Sequence, residues 1–170
     1  MTQVAEVMTR GVRSLAQSDN MQLAAQAMDE LNVGAIPICE DDRVIGVVTD
    51  RDITVRGVAQ GCAPESTPVS DVMSVHVQTC YEDDSLEEVT RKMQAMQVRR
   101  IPVLDRNQRL VGMLSLGDIA AKADSDQAGA ALADISWPAE PDRSGTSAAG
   151  GAAGGGLSSS RDQDEKMMHR

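Results

Sequence analysis

Two short stretches hold the residues best suited to chemistry. Gly46-Val47-Val48-Thr49-Asp50-Arg51-Asp52 and Gly112-Met113-Leu114-Ser115-Leu116-Gly117-Asp118 each set a hydroxyl three residues ahead of a carboxylate. Both follow an apolar run and open what reads as a helix, so Thr49 and Ser115 fall at a strand-to-helix junction. Free backbone N–H groups and the helix dipole favour an anion at such a junction. Asp52 and Asp118 fall in the first helical turn. A carboxylate there accepts hydroxyl protons well, but repels phosphate if turned the wrong way. The same pattern has a plainer reading, with Thr49 and Ser115 as helix N-caps and the aspartates as dipole-favoured acids. Arg99, Arg100 and Arg51 are the candidates for concentrating positive charge, because a guanidinium pairs bidentately with phosphate oxygens and stays charged. The alternative is surface arginines paired with Asp50, Glu40 or Asp105.

Catalysis finds no support in the remaining residues, and no catalytic residue is assigned. His76 and His169 are the only histidines, and neither has a Cys or Ser partner at a nucleophile spacing. No metal ligand is assigned either, since there is no His-x-x-x-His and no clustered Cys. The acidic runs Glu40-Asp41-Asp42 and Glu82-Asp83-Asp84 read as a solvated turn and a helix N-terminus. Cys39, Cys62 and Cys80 are odd in number and well separated, which excludes a disulfide framework and points to a reducing cytosol. Cys39 reads as a small core residue, and Cys62 as the more reactive free thiol.

The elements that must position these residues come in two copies. An offset of 65 residues sets Val4-Ala5-Glu6-Val7-Met8-Thr9 on Val69-Ser70-Asp71-Val72-Met73-Ser74, and Val33 to Ile38 on Val98 to Val103. One inserted residue near Gln108 makes the offset 66, which brings Arg43 to Thr49 onto Arg109 to Ser115 and Asp52 onto Asp118. Each copy predicts the same order. A short strand lies near Val12 or Val77. A helix opens at Asp19 or Asp84 as N-cap, with Gln22 or Glu87 completing a capping box. Apolar residues recur at helical spacing: Met21, Ala24, Ala25, Met28 and Leu31, then Leu86, Val89, Met93 and Met96. A hairpin of Ala35–Cys39 with Val44–Thr49, or Ile101–Leu104 with Leu110–Ser115, comes next, its prolines suiting an edge or strand start. A helix from Asp50 or Leu116 closes the unit. At roughly 60 residues, each β-α-β-β-α unit gains stability by packing against the other.

Composition bounds the rest. The chain has 170 residues, a net charge of −10 and 1% aromatics, so any core is built from Val, Ile, Leu, Met and Ala. The acidic balance argues against direct nucleic-acid or anionic-membrane binding. No apolar run approaches the ~20 residues of a membrane span, and no signal peptide is visible at the N-terminus. The expected domains are repeat 1 at 1–62, repeat 2 at 63–123 and a low-complexity tail at 124–170. Within that tail 138–170 is expected to be disordered, because Gly, Ala and Ser bury too little apolar surface to offset chain entropy. The stretch 128–135 can add a weak helical turn, with Trp137 either docked on the body or part of the flexible tail.

The repeat resembles the cystathionine-β-synthase-type (CBS) domain, and the tandem resembles a CBS pair, or Bateman module. The likeness rests on the Val-Met-Thr/Ser opening, Ala35-Ile36-Pro37-Ile38 with Arg100-Ile101-Pro102-Val103, and the two endings Thr49-Asp50-Arg51-Asp52-Ile53 and Ser115-Leu116-Gly117-Asp118-Ile119. It covers about residues 1–123, and stand-alone bacterial CBS-pair proteins are most similar. The resemblance implies an α+β fold of two packed repeats with a cleft for AMP, ADP, ATP or S-adenosylmethionine. In that cleft Asp52 and Asp118 would meet ribose, and Thr49, Ser115, Arg51, Arg99 and Arg100 would lie near phosphate. Residues 12–15 with Ala35, Ile36 and Pro37, and residues 77–80 with Arg100, Ile101 and Pro102, would hold adenine; Ser14 and Thr79 belong to these strands. Gly34-Ala35 stands where the second copy has Arg99-Arg100, which implies at most one strong nucleotide site. The expectation is a cytosolic, homodimeric, non-enzymatic regulatory module with no required cofactor and an unidentified effector protein. A ligand-free dimeric scaffold or stress-associated interaction protein is the alternative. A regulatory part of an enzyme, as in IMP dehydrogenase, is a third reading, against which the missing catalytic domain argues.

Overall fold

The computed structural model describes residues 1–122 and Gly129. Apart from Gly129, the expected turn at 128–135, Trp137 and the 138–170 tail lie outside the described residues. In chain order the elements are α1 (Val4–Val7), β1 (Thr9–Arg10), α2 (Met21–Leu31), β2 (Ala35–Glu40), β3 (Arg43–Thr49), α3 (Asp50–Asp52), β4 (Cys80–Tyr81), α4 (Leu86–Met96), β5 (Arg100–Leu104), β6 (Leu110–Ser115) and α5 (Leu116–Lys122). α3 runs on into a π turn at Ile53–Gly57 and a 3₁₀ turn at Val58–Gln60, and a further 3₁₀ turn spans Val69–Asp71. The fold is α+β. β2 and β3 form one hairpin, and the other sheet has the order β1-β6-β5-β4.

Helices α2 and α4 form where apolar residues recur at helical spacing, and each ends at a left-handed residue, Asn32 at φ 50° and Gln97 at φ 53°. Their starts correct the expected caps. Asn20 caps α2, its Oδ1 accepting from the Leu23 N–H at 2.8 Å, and Ser85 holds the cap position of α4 without a side-chain bond. Asp19 and Asp84 stand one residue too early. Their carboxylates reach backward instead, accepting from the Ala16 and Tyr81 N–H groups at 2.8 Å each, and so close the preceding turn. The buried face of α2 is Met21, Ala24, Ala27 and Met28, so Ala27 replaces the expected Ala25; Leu31 and Met96 are exposed at the helix ends.

The first strand of each unit lies three residues beyond the expected place. It is a single parallel bridge from Leu15 to Ile38 in one copy, and β4 in the other. Val12 and Val77 face clefts instead. β5 is not an edge strand, since β6 and β4 flank it. Pro102 is tolerated because β4 engages only Val103 and Leu104, beyond the proline.

The two Val-Met-Thr/Ser openings change places. Val4, Val7 and Met8 share a core with Leu86, Val89, Met93, Ile101 and Leu114, all of repeat 2. Val69 and Val72, with Met73 packed alongside, share a core with Met21, Ala24, Ile36, Ile38 and Val48 of repeat 1. The backbone repeats the exchange. The Leu86 N–H donates to the Thr2 carbonyl at 3.0 Å, and the Met21 N–H to the equivalent Thr67 carbonyl at 2.9 Å. The Val4 N–H donates to the Asp84 carbonyl at 3.1 Å, and the Val69 N–H to that of Asp19 at 2.7 Å. Burying a Val side chain is worth about 1.5–3 kcal/mol, so each core depends on a segment from the other copy.

The crossing segments then lie against the hairpins. Thr9 and Arg10 pair with Met113 and Gly112, and Ser74 bridges Val47. This explains the glycine that opens each hydroxyl–carboxylate stretch. A Cβ on Gly112 would sit 2.8 Å from Met8 Sδ and 2.7 Å from the Thr9 carbonyl oxygen. On Gly46 it would sit 2.7 Å from Met73 Sδ and 3.0 Å from the Ser74 carbonyl oxygen.

Candidate functional site

The same crossing opens two unequal clefts. The larger, of about 370 Å³, lies between the arm at residues 9–13 with Ala35 and Ile36 of repeat 1, and Arg100, Met113, Ser115 and Asp118 of repeat 2. The smaller, of about 190 Å³, inverts the contribution: Ser74, Val77, Gln78 and Pro102 face Val47 and Thr49. Arg100 lines both.

Both hydroxyl–carboxylate pairs form reciprocal caps, as the plainer reading of their spacing expects. The Thr49 N–H donates to Asp52 Oδ2 and the Asp52 N–H to Thr49 Oγ1, each at 3.0 Å. The Ser115 N–H donates to Asp118 Oδ2 at 3.0 Å and the Asp118 N–H to Ser115 Oγ at 3.1 Å, while the Ser115 hydroxyl donates to Asp118 Oδ2 at 2.6 Å. The second oxygens differ. Asp118 Oδ1 accepts from Thr9 Oγ1 at 3.1 Å, with Lys122 Nζ at 3.8 Å. Asp52 Oδ1 faces Arg56 Nε at 3.7 Å, and the same guanidinium donates to the Val72 and Met73 carbonyls at 3.1 and 3.2 Å. A carboxylate offers about four lone-pair positions, so Asp118 retains acceptor capacity toward its cleft.

The structure therefore gathers Ser115, Asp118, Arg100, Ala35 and Ile36 in the larger cleft, and Thr49, Arg100 and Pro102 in the smaller. Ser14, Pro37, Arg51, Asp52, Thr79, Arg99 and Ile101 line neither of the two. Ile101 and Pro37 are buried, and Ile101 belongs to the repeat 2 core. The Thr79 carbonyl accepts from Lys92 Nζ at 2.7 Å. Arg51 and Arg99 are exposed. The carboxylate pairing expected for arginine at Asp105 belongs to Arg109, whose Nη2 lies 2.7 Å from Asp105 Oδ2. Its bonds, led by that from the Arg109 N–H, hold the Asp105 carboxyl below the usual range.

Thr9, Arg10, Asn32, Val33 and Met113 line the larger cleft without having been singled out in the sequence. The one signal for Thr9 was its equivalence to Ser74, directly after the matched Val-Met pairs. Burial pushes the Cys80 thiol up to about 12, and the Asp84 charge adds to it; burial also raises Cys39 despite a hydrogen bond with Ser14. Cys62 is half-buried beside the Arg56 carbonyl. Among the described residues no group of three His, Cys, Asp or Glu could hold a metal ion, and no helix is long and apolar enough to cross a membrane.

The family model for the CBS domain matches the chain twice, at residues 4–56 and 69–124. The CBS domain-containing protein YhcV of Bacillus subtilis is 42% identical over 137 residues, which cover 80% of this chain and 96% of that protein. Hypoxic response protein 1 of Mycobacterium tuberculosis is 36% identical over 121 residues, covering 71% of this chain and 84% of that one. A crystal structure of Hypoxic Response Protein I with two coordinated zinc ions aligns with a TM-score of 0.66 at 35% identity, over 72% of this chain and 100% of that chain. The CBS domain pair of protein MJ0100, solved in complex with 5′-methylthioadenosine and S-adenosyl-L-methionine, aligns with a TM-score of 0.63 at 25% identity, over 71% of this chain and 94% of that chain.

Proposed function

The chain belongs to the CBS-domain family, and on that premise we propose that it is a non-catalytic regulatory module that binds an adenosyl ligand in its larger cleft. One observation carries this reading. Ser115 and Asp118 of one repeat meet the arm and the apolar Ala35–Ile36 strand of the other around a single space of about 370 Å³. That volume falls in the roughly 300–1,000 Å³ range of small-molecule sites, and 190 Å³ for the smaller cleft does not. Adenine packs on the apolar side formed by Val12, Ala35 and Ile36. Asp118 accepts from the ribose hydroxyls. Arg100, which has no carboxylate partner among the described residues, serves the phosphate of AMP, ADP or ATP. The adenosyl class is supported by the ligands of the MJ0100 pair. The module acts in the cytosol, as a homodimer, on an effector protein.

A ligand-free dimeric scaffold is the second reading. It is favoured by the bonds that Asp118 and Asp52 already make within the chain. A thermal-shift series with AMP, ADP, ATP, NAD and S-adenosylmethionine separates the two. A ligand at 100 times its Kd adds about 2.7 kcal/mol to folded-state stability. A melting temperature that none of the five ligands moves leaves the scaffold.

A further inference from the structure

The larger cleft carries a charge pattern that its smaller counterpart lacks. Its lining holds three guanidiniums, Arg10, Arg13 and Arg100, against the single carboxylate of Asp118. At the equivalent places beside the smaller cleft stand Val75 and Gln78, neither of them charged. The one ionisable side chain on the matching arm is His76, at the place of Gly11, so in a chain of net charge −10 the two arginines of the first arm call for a function.

Two of the three arginines are held from outside the cleft. Arg10 Nη1 lies 3.2 Å from Glu82 Oε2, in the turn after β4, and Arg13 Nη1 lies 3.0 Å from Glu30 Oε2, near the end of α2. Neither glutamate lines the cleft. Both pairs are solvated: the Arg10 and Glu82 side chains are 57% and 34% exposed, and those of Arg13 and Glu30 are 42% and 67% exposed. Pairs so exposed to water are weak and screened by salt. Phosphate oxygens engage guanidinium bidentately and carry more charge than one carboxylate.

We propose that Arg10 and Arg13 are phosphate ligands of the larger cleft, held by Glu82 and Glu30 until a phosphate chain displaces those carboxylates, so that the cleft selects an adenine nucleotide with several phosphates. The inference rests on the larger cleft being the adenosyl site. It adds which member of that class binds and which residues choose it. S-adenosylmethionine sets a sulfonium and an ammonium against one carboxylate, so it brings net positive charge to a lining already rich in cations and competes less well than a phosphate chain for either arginine.

Calorimetry on the full chain with ATP and with adenosine as probes tests it. Glu30→Gln with Glu82→Gln frees both guanidiniums and is expected to raise ATP affinity about three- to tenfold, the combined scale of two exposed pairs, while adenosine affinity stays the same. Arg10→Gln with Arg13→Gln is expected to lower ATP affinity about tenfold or more and to flatten its salt dependence. Melting curves establish that each variant is folded, and the single Glu30→Gln change on the exposed face of α2 carries the test if the double variant is not. Unchanged or weakened ATP binding in the glutamate variants, with adenosine binding intact, overturns the inference and leaves the adenosyl site standing. If neither probe binds the unmodified protein, both fall.

Discussion

Thr9 Oγ1 donates to Asp118 Oδ1 at 3.1 Å across 109 residues of chain. The opening of the first repeat thus meets the closing helix of the second at the acid assigned to ribose. The matching pair in the other copy is not made. The Ser74 hydroxyl instead accepts from Arg56 Nη1 at 3.4 Å, and Asp52 turns toward Arg56.

This asymmetry predicts unequal mutants. Asp118→Ala should weaken adenine-nucleotide binding by about 1.5–3 kcal/mol, the scale of a hydrogen bond to a charged group. Asp52→Ala should leave that affinity unchanged, because Asp52 lines neither cleft. Each loses the carboxylate half of its reciprocal cap, the bond from the Thr49 or Ser115 N–H, and about 1 kcal/mol of stability, while the hydroxyl half remains. Isothermal calorimetry beside urea unfolding checks both. Equal affinity losses in the two variants would contradict the assignment of the larger cleft.

The contact between Met8 and Gly112 predicts a steric effect. Gly112→Ala places a Cβ 2.7 Å from the Thr9 carbonyl oxygen, which is backbone and cannot swing aside. The expected loss is about 1–3 kcal/mol, typical of overpacking. Gly46→Ala should cost less, since its nearest obstacle is the flexible Met73 thioether. Chemical denaturation of the two variants gives the order.

Exchange of the openings predicts where damage spreads. Val4→Ala empties space in the core of repeat 2, where Val4 packs with Leu86 and Met93. It should cost about 1.5–3 kcal/mol and speed amide hydrogen exchange first in α4, rather than in α2 of its own repeat. Val69→Ala should show the converse, with α2 losing protection first. Faster exchange confined to each residue's own repeat would be incompatible with the crossed cores.

The buried Cys80 thiol predicts an alkaline limb of instability. Its pKa rises from 9.0 to about 12 in the folded chain, chiefly through burial, so the folded state keeps a proton that the unfolded state loses. Its contribution is fully present below pH 9 and declines as pH climbs from 9 toward 12, by about 1.4 kcal/mol per pH unit. Cys80→Val should remove most of that slope in denaturation series run at rising pH. With a thiol reagent at neutral pH, half-buried Cys62 should react well before Cys80.

What the sequence determined by itself was local. Thr49 with Asp52, and Ser115 with Asp118, lie one helical turn apart, so spacing alone places them as a reciprocal cap at a strand-to-helix junction. The hairpins were legible because their apolar runs and polar turns are contiguous, and because two copies in register repeat each weak signal. The choice of Asn20 over Asp19 as cap was not, since both are good capping residues and the backbone entering α2 decides which one points forward. Tertiary structure alone decided the crossing. Val4-Ala5-Glu6-Val7-Met8 has the same apolar pattern whichever core it fills, and nothing within one turn of it records that Leu86 and Met93 receive it. The encounter of Thr9 with Asp118, the sharing of Arg100 between two clefts and the unequal arms at Arg10 and Arg13 all follow from that crossing. They are contacts between residues far apart in the chain, set by packing two hydrophobic faces together, and such packing leaves no periodic trace in either segment.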